Sequence, residues 1–578
     1  MSKIQYKFKY DEYGNTREIV VYSSGTGVSS MSFVNKGTAF NSKERVQFGL
    51  EASLPPGIRD IDDQVANTRR IVESKVDDIE RFIFVRALYD RNVALAHALI
   101  RSDLEKYMGI VYTPTISEAV KKYSSLYRQA NGLHFNPGNI DMAEDILRRY
   151  MNRDIRVAVV TDSQGIPGMG DQGAGGIAIC LGKLMLYTQG GGIAPWHCLP
   201  ISLDVGTDNE SLLTDRQYLG WRKNRLQGEE YLSFIGRFVR AFRNVFPDAI
   251  CQWQNFSRPN GFSIRDAFAD ELISFNDNIQ STGGLALAAI MSAMRKKKES
   301  IRNQKFLVLG DESESIGICE QILSMLVNEG LERKDALNSI FLADRAGMIT
   351  EEQVGEYYVR PFAKDPSLFR SLGVSANPTI PEFIKHAGIT VYISTLEGDG
   401  CIDKQVVSAL LENSESPVIL PLHPSTDMSD VCVRSIYDWS GGRALVASGS
   451  TKKEFTTSGV EWQVSQAHNV LIFPGIALGV LASGAREIVP QFFTEAARTV
   501  SGMVTGAELE KGILLPPLHD LEKISNKVAL AVAMCSVKEG LSRPCAFSTF
   551  KHETDESRLR ELIKRMRWEP NYLPLVAM

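Results

Sequence analysis

The stretch 306–326, FLVLGDESESIGICEQILSML, indicates the fold class of this 578-residue chain. It opens with a short apolar run, turns at Gly310, and continues at helical spacing through Gly317. Strand, glycine turn and helix in this order are typical of a dinucleotide-binding unit, in which glycines let the backbone approach a pyrophosphate at the helix N-terminus. The next apolar run ends at Asp344, where an acid can bind an adenosine ribose. The stretch therefore predicts a Rossmann-like fold with Gly310, Gly317 and Asp344 as candidate cofactor-binding residues.

The glycine turn is unusually acidic for such a unit. Glu312 stands where a second glycine is expected, with Asp311 and Glu314 beside it. Three acids suit the N-terminal end of a helix dipole, but each would repel a pyrophosphate by ~4 kcal/mol at ~4 Å before screening, unless its side chain turns outward to solvent. Arg345 could pair with a 2′-phosphate or be a plain surface residue. The sequence leaves open whether NAD, NADP or neither binds, and Glu312 and Arg345 join the candidate cofactor residues.

Outward from this stretch, apolar runs alternate with helical patterns along most of the chain. Five further runs are RVAVVT at 156–161, LPISLDV at 199–205, SIFLAD at 339–344, ITVYIS at 389–394 and PVILPL at 417–422. Strands alternating with helices predict an α/β protein with parallel sheets. We expect a helical N-terminal domain at 1–130 whose first 50 or so residues could form an arm, a central α/β domain at 131–276 plus 469–540, a Rossmann-like domain at 277–468 and a C-terminal extension at 541–578.

Composition and charge narrow the class of protein. Hydrophobic residues make up 44% and charged residues 23%, and the net charge of 64 minus 69, or −5, gives no reason to expect nucleic acid or an anionic membrane as partner. None of the eight cysteines forms a C-x-x-C pair, which favours free thiols in a reducing compartment. The N-terminus has no apolar signal core, and the most apolar stretch, 470–485, is short and contains Pro474. These features predict a cytoplasmic protein.

Several motifs resemble those of the malic enzymes, in the same order, from about residue 50 to 545. They are IVYTPT at 110–115, VVTDSQGIPGMGDQGAGGIAICLGKLMLYT at 159–188, LPISLDVGTDNESLL at 199–213 and FNDNIQST at 275–282. Malic enzymes oxidise malate with NAD or NADP and decarboxylate the product with help from Mg²⁺ or Mn²⁺. The resemblance implies that Tyr112 is an acid, Lys183 a base whose pKa a closed pocket can lower, and Asp277 the catalytic aspartate. It also implies a homodimer or homotetramer.

The family's metal site is altered in this chain. Its E-D-F motif is replaced by Gln254-Asn255-Phe256, and the second acid of F-N-D-D is replaced by Asn278. Each ligand has become its near-isosteric amide, and hard divalent cations depend on anionic oxygen. We therefore expect no divalent metal, with Asp277 and Asp171 as the remaining candidates for a weakly held ion.

The substrate-binding residues of the family are altered too. The malate-binding arginine aligns with Gly165, so the bidentate partner of a carboxylate is missing. An asparagine of the S-N-P-T motif aligns with Pro424, and the two of G-N-N align with His468 and the retained Asn469. A small molecule other than malate is the expected substrate. Its candidate binding residues are Gly165, Gln254, Asn255, Asn278, His468 and Asn469.

Three hypotheses follow for the function. The first is an oxidoreductase that acts without a metal on a small hydroxy acid or related substrate, with Lys183 as base, Tyr112 as acid and Asp277 in support. The second is a non-redox decarboxylase or lyase that uses the same residues. The third is a pseudoenzyme or regulatory subunit. We favour the first, because the three catalytic positions are retained, and we do not expect ordinary metal-dependent oxidation of malate.

Overall fold

The N-terminal part is mainly helical but begins with a β-hairpin. We describe it from a computed structural model, which describes residues 5–150, 154–310, 312–352, 354–396, 402–423, 427–449, 454–457, 460–543 and 556–578. Strands β1 (Tyr6–Tyr10) and β2 (Thr16–Val21) pair antiparallel. The helices that follow are α1 (Thr26–Ser29), α2 (Ser42–Phe48), α3 (Ile61–Glu73), α4 (Asp78–Arg91), α5 (Val93–Ser102), α6 (Leu104–Val111), α7 (Thr115–Lys121) and α8 (Tyr123–Leu126). The expectation of an N-terminal arm is wrong for the described residues, because Phe8 and Phe40 are buried in one apolar cluster with Trp196.

Four successive helices, α3 to α6, begin at a side-chain cap. The caps are Asp60, Asp77, Asn92 and Asp103, and each accepts a hydrogen bond from the backbone N–H three residues later. Such caps satisfy N–H groups that have no partner within the helix. The last of these helices, α6, ends at Val111, and Tyr112 follows as its C-terminal cap and lies in the same cleft as Lys183.

The central sheet has five parallel strands. They are β3 (Leu133–Phe135), β4 (Val157–Thr161), β5 (Cys198–Leu203), β6 (Ile250–Gln254) and β7 (Ser274–Asn276), in the order β3-β5-β4-β6-β7. Its helices are α9 (Ala143–Arg148), α10 (Ile177–Gly191), α11 (Glu210–Thr214), α12 (Gly228–Val245) and α13 (Arg258–Ala267). Parallel strands covered on both faces are apolar throughout, which is why these runs stand out in the sequence.

The second sheet has seven strands, and all its pairings are parallel except β10 with β9. Its segment contains, in chain order, α14 (Thr282–Lys297), β8 (Phe306–Leu309), α15 (Ser313–Asn328), α16 (Arg333–Asn338), β9 (Ile340–Asp344), β10 (Gly347–Met348), α17 (Ser367–Ser371), α18 (Ile380–Ala387), β11 (Val391–Ser394), α19 (Lys404–Asn413), β12 (Val418–Pro421), α20 (Asp427–Ser440), β13 (Leu445–Ser448), the hairpin β14 (Glu454–Thr457) and β15 (Val460–Gln463), and β16 (Ser465–Gln466). In the order β10-β9-β8-β11-β12-β13-β16, the chain adds strands outward from β8 on one side and outward from β11 on the other. This change of winding between two parallel neighbours is typical of doubly wound folds. The predicted Rossmann-like fold is confirmed.

The C-terminal helices join the two sheets. They are α21 (Phe473–Ser483), α22 (Pro490–Met503), α23 (Gly506–Glu510), α24 (Leu521–Lys538) and α25 (Glu556–Arg565), followed by β17 (Leu575–Ala577), which pairs parallel with β2. One apolar cluster contains residues of both sheets together with α10, α14, α21 and α24. Because this core is shared, the predicted domain boundaries stay a prediction. Within the described ranges, no helix combines the length and apolarity needed to cross a membrane.

Candidate active site

A cleft of about 870 Å³ opens where the strands of both sheets end. Eleven of the predicted site residues line it: Tyr112, Gly165, Lys183, Gln254, Asn255, Asp277, Asn278, Glu312, Arg345, His468 and Asn469. The other three, Gly310, Gly317 and Asp344, are not among the lining residues. In α/β folds, ligands bind at the carboxyl ends of parallel strands.

Lys183 and Asp277 form a buried ion pair in the wall of the cleft. Lys183 Nζ donates to Asp277 Oδ2 at 2.6 Å, and the two residues are 2% and 1% exposed. Asn469 Nδ2 also donates to Asp277 Oδ2, at 3.3 Å, and to Thr282 Oγ1 at 3.0 Å. Asp277 Oδ1 is buried and has no hydrogen-bond partner among the described residues. It is therefore an acceptor that a ligand could satisfy.

Asp277 controls the charge of Lys183. Burial lowers the pKa of Lys183, but the carboxylate of Asp277 outweighs it, and the net pKa is raised. The ring centroids of Phe473 and Tyr112 lie 4.4 and 5.3 Å from Nζ and also favour the ammonium form. The expected lowering of the Lys183 pKa is therefore wrong for this structure.

Tyr112 is positioned as a hydrogen-bond donor. Burial raises the pKa of its hydroxyl and outweighs the nearby ammonium of Lys183, which lowers it. The phenol therefore keeps its proton at neutral pH.

Four amides and one carboxylate form a continuous hydrogen-bonded chain beside this pair. Gln252 Nε2 donates to Gln254 Oε1 at 2.8 Å, and Gln254 Nε2 donates to Asn255 Oδ1 at 2.8 Å. The backbone N–H of Asn255 donates to Asn278 Oδ1 at 3.0 Å. Asn278 Nδ2 donates to Glu314 Oε1 at 2.7 Å. The chain leads from the central sheet to the first turn of α15.

The backbone N–H of Asn255 fixes the orientation of the Asn278 amide. A backbone N–H can only donate, so Asn278 Oδ1 must face it and Nδ2 must face Glu314. The side-chain oxygens of Gln254, Asn255 and Asn278 all accept hydrogen bonds within the chain. Asn255 lines the cleft and its Oδ1 already accepts from Gln254, so Nδ2 is the side-chain group that it can offer a ligand.

The backbone closes the position of the family's arginine. The Gly165 N–H donates to the carbonyl oxygen of Asn255 at 2.8 Å. A Cβ atom on Gly165 would lie 2.3 Å from the carbonyl oxygen of Phe256, closer than real Cβ contacts. No larger side chain fits here without a shift of the main chain. Pro424, the other altered binding position, lies outside the described residues.

The glycines of the nucleotide turn are used for close packing. A Cβ on Gly310 would lie 2.0 Å from Thr395 Oγ1, and one on Gly317 would lie 2.1 Å from the carbonyl oxygen of Ile279. Asp344 Oδ1 accepts hydrogen bonds from the backbone N–H groups of Ala346 and Gly347, so its carboxylate stabilises its own turn.

The acids of the turn do not all point to solvent. Both Glu312 and Glu314 line the cleft, but Glu312 is exposed, whereas Glu314 is half-buried and contacts Asn278. Burial raises the pKa of Glu314 to about 7. The outward orientation that would relieve repulsion is therefore wrong for Glu314, and Asp311 lies outside the described residues.

Comparison with known proteins identifies the family. The model for "Malic enzyme, N-terminal domain" matches residues 89–269, and the model for "Malic enzyme, NAD binding domain" matches residues 279–537. The chain belongs to the malic enzyme family. A protein named NAD-dependent malic enzyme from Psychrobacter cryohalolentis is 34% identical over 96% of this chain and 98% of its own length. One of the same name from Pseudomonas syringae pv. syringae is 36% identical, with the same coverage.

Solved malic enzyme structures share the fold. The malic enzyme of Entamoeba histolytica is 19% identical, has a TM-score of 0.52, and is matched over 88% of this chain and 93% of that one. The enzyme of Pyrococcus horikoshii is 18% identical, also has a TM-score of 0.52, and is matched over 80% and 88%. At this identity the likeness concerns the fold alone. The roles of individual site residues stay predictions.

Two features of the site were not predicted from the sequence. The sequence predicts that Glu314 suits the helix dipole and repels a pyrophosphate, but its contact with Asn278 depends on how the two sheets are placed. Asp171, a candidate for a weakly held ion, instead accepts two hydrogen bonds from Arg225, at 2.7 and 2.8 Å, and others from the backbone of Asp208 and Gly173. Its carboxylate is already used. In the described part of the chain, no three His, Cys, Asp or Glu side chains are arranged to hold a metal ion.

Proposed function

We propose that this member of the malic enzyme family is an NAD-linked oxidoreductase that oxidises a small α-hydroxy acid other than malate without a divalent metal. The observation that carries the proposal is a complementary pair of groups in one cleft. Asp277 Oδ1 is a buried acceptor without a partner among the described residues, and Asn255, whose Oδ1 accepts from Gln254, has its Nδ2 left to donate to a ligand. An α-hydroxy acid brings the matching hydroxyl donor and carboxylate acceptor.

The hydrogen bonding of the amides opposes a divalent cation. Mg²⁺ and Mn²⁺ bind through oxygen, and at these sites mostly through carboxylates. Here the three amide oxygens accept hydrogen bonds from neighbouring N–H groups, and Asn278 turns its Nδ2 toward Glu314. A cation would have to break these bonds and would gain only neutral ligands. The residues therefore do not fit the metal of the family, and no step of the proposed reaction uses it.

NAD is the proposed cofactor because the family model and the named relatives are NAD-linked. The first turn of α15 opens into the cleft through Ser313 and Glu314, where a pyrophosphate would meet the helix N-terminus. With Glu314 held by Asn278, its carboxylate is directed at an amide donor. When bound, NAD accepts a hydride from the carbon that carries the substrate hydroxyl.

The residues of this chain supply binding and proton transfer. The substrate hydroxyl donates to Asp277 Oδ1, and the Asp277 carboxylate takes up its proton as the carbonyl forms, with the Lys183 ammonium beside it. Asn255 Nδ2 binds a carboxylate oxygen and so orients the substrate. Tyr112, whose burial keeps it protonated, donates a hydrogen bond to the substrate oxygen or a proton in the reverse direction. A second carboxylate has no arginine at position 165 to bind, which disfavours malate.

The first experiment is a titration with NADH and NADPH that follows nicotinamide fluorescence, with Mn²⁺ and with EDTA. Glycolate, lactate, glycerate and malate are then assayed with the nucleotide that binds, in EDTA. We expect nucleotide binding that Mn²⁺ does not change, and turnover of a monocarboxylate that disappears in Lys183→Ala. Malate turnover that requires Mn²⁺ would overturn metal independence. Absence of nucleotide binding at millimolar concentration would overturn the redox reaction and leave a lyase or a pseudoenzyme.

We also propose a homodimer or homotetramer, as the resemblance implies. Sedimentation velocity over a range of protein concentrations tests this, and a monomer at all concentrations would contradict it.

A further inference from the structure

We infer that Glu314 is a positioning residue, which holds the amide chain in the orientation that turns the side-chain Nδ2 of Asn255 toward the cleft. The inference rests on the proposed function only for the identity of the ligand. The contact itself, Asn278 Nδ2 to Glu314 Oε1 at 2.7 Å, joins the segment between the two sheets to the first turn of α15.

Glu314 is the terminal acceptor of a chain whose links all donate in one direction. Gln252 donates to Gln254, Gln254 donates to Asn255 and more weakly to Asn278, and Asn278 donates to Glu314. The Glu314 Oε1 accepts the last hydrogen bond, and bonds in such chains strengthen one another. Ending the chain on an acceptor therefore favours this orientation over the one with each amide reversed.

The opposite orientation of Asn278 would change what the cleft offers a ligand. With its amide rotated, Asn278 would point Nδ2 at the backbone N–H of Asn255 and lose its role as acceptor. Gln254 Nε2 also approaches Asn278 Oδ1, at 3.4 Å, so a rotation would disturb it as well. A Gln254 amide that rotates in response would present Oε1 to Asn255, whose Nδ2 would then face Gln254 and not the cleft. Without an acceptor at position 314, Asn278 Nδ2 loses its hydrogen-bond partner, and the observed orientation of the Asn278 amide loses that stabilisation.

Two variants separate acceptor from charge. Glu314→Gln keeps an oxygen that can accept from Asn278, and Glu314→Met keeps the size without an acceptor. Glu351→Gln, an exposed acid that does not line the cleft, is the matched control. The probe is glycolate, titrated calorimetrically into the full-length protein with NADH present, and KM and kcat are measured for any hydroxy acid that turns over.

We expect Glu314→Gln and Glu351→Gln to stay within about threefold of the parent protein, and Glu314→Met to weaken glycolate binding or raise KM about tenfold with a smaller change in kcat. Equal losses in Glu314→Gln and Glu314→Met would overturn the inference, because charge would then matter and not the acceptor. Unchanged affinity in Glu314→Met would overturn it too.

A reciprocal exchange tests the contact without any substrate. At alkaline pH, Asn278→Asp places two carboxylates against each other, and adding Glu314→Gln restores a donor–acceptor pair with the roles exchanged. We expect a lower Tm in Asn278→Asp and recovery in the double variant; additive effects would overturn the contact. If glycolate does not bind the parent protein at all, the proposed substrate class fails, while this exchange still decides the role of Glu314.

Discussion

The Lys183–Asp277 pair and the amide chain lie side by side in one cleft, but their buried polar groups are stabilised in different ways. The first keeps two opposite charges in contact at 2.6 Å. The second has no charge except at Glu314, and its amides satisfy one another. Three carboxylates in that volume without a cation would repel, whereas three amides can each donate and accept. The comparison teaches that amides at these positions leave no buried charge in need of a cation.

The largest effect is expected when the Lys183–Asp277 ion pair is broken. Lys183→Ala leaves Asp277 buried without its cation, which should lower the free energy of unfolding by about 3–5 kcal/mol. Loss of the proton-transfer pair should also lower kcat roughly a thousandfold. Urea unfolding and single-turnover kinetics measure the two effects.

The neutral double variant Lys183→Met with Asp277→Asn is the control for this prediction. It should recover most of the stability, because no unpaired charge is buried, and none of the turnover. A double variant as unstable as Lys183→Ala would show that packing and not charge is responsible.

A smaller effect is expected when carboxylates replace the three amides of the cleft at positions 254, 255 and 278. Gln254→Glu, Asn255→Asp and Asn278→Asp combined with Glu314→Ala should bind Mn²⁺ roughly a hundredfold more tightly than the parent protein, since anionic oxygens replace amides and the competing acid is gone. The electron paramagnetic resonance signal of free Mn²⁺ measures this binding. Glu314→Ala alone supplies no ligand and serves as control. Equally tight Mn²⁺ binding by the unaltered chain would contradict the proposed loss of the metal site.

The two halves also differ in how far the sequence predicts them. Apolar periodicity predicts both parallel sheets, and the order of the motifs places Tyr112, Lys183 and Asp277 together in one cleft. The hairpin β1–β2 is missed, since its alternation is short and its third strand, β17, comes from the far end of the chain. The charge of Lys183 and the inward turn of Glu314 depend on distances of 2.6 and 2.7 Å to residues far away in sequence. Local patterns do not contain such distances.

The smallest effect is expected from the titration of Glu314, the single acid in the amide chain. Burial raises the pKa of Glu314 from 4.5 to about 7 in the folded protein. Between these values the folded state holds a proton that the unfolded state has released, so stability from this group is present at acidic pH and is lost as pH rises to about 7. Glu314→Gln should abolish that loss, and its stability relative to the parent protein should increase by on the order of 1–3 kcal/mol from pH 5 to pH 8.

Urea unfolding at several pH values measures this difference, and Asn278→Leu sharpens it. The hydrogen bond from Asn278 holds the pKa of Glu314 down, so removing that donor should move the loss of stability to higher pH. Asn278→Leu combined with Glu314→Gln should show no such transition, which separates the titration of Glu314 from other effects of the leucine. Parallel pH curves for the parent protein and Glu314→Gln would mean that the carboxyl titrates alike in the folded and unfolded states. In that case Glu314 would accept from Asn278 as a fully ionised carboxylate, and the uncharged half of the cleft would carry a full negative charge at neutral pH.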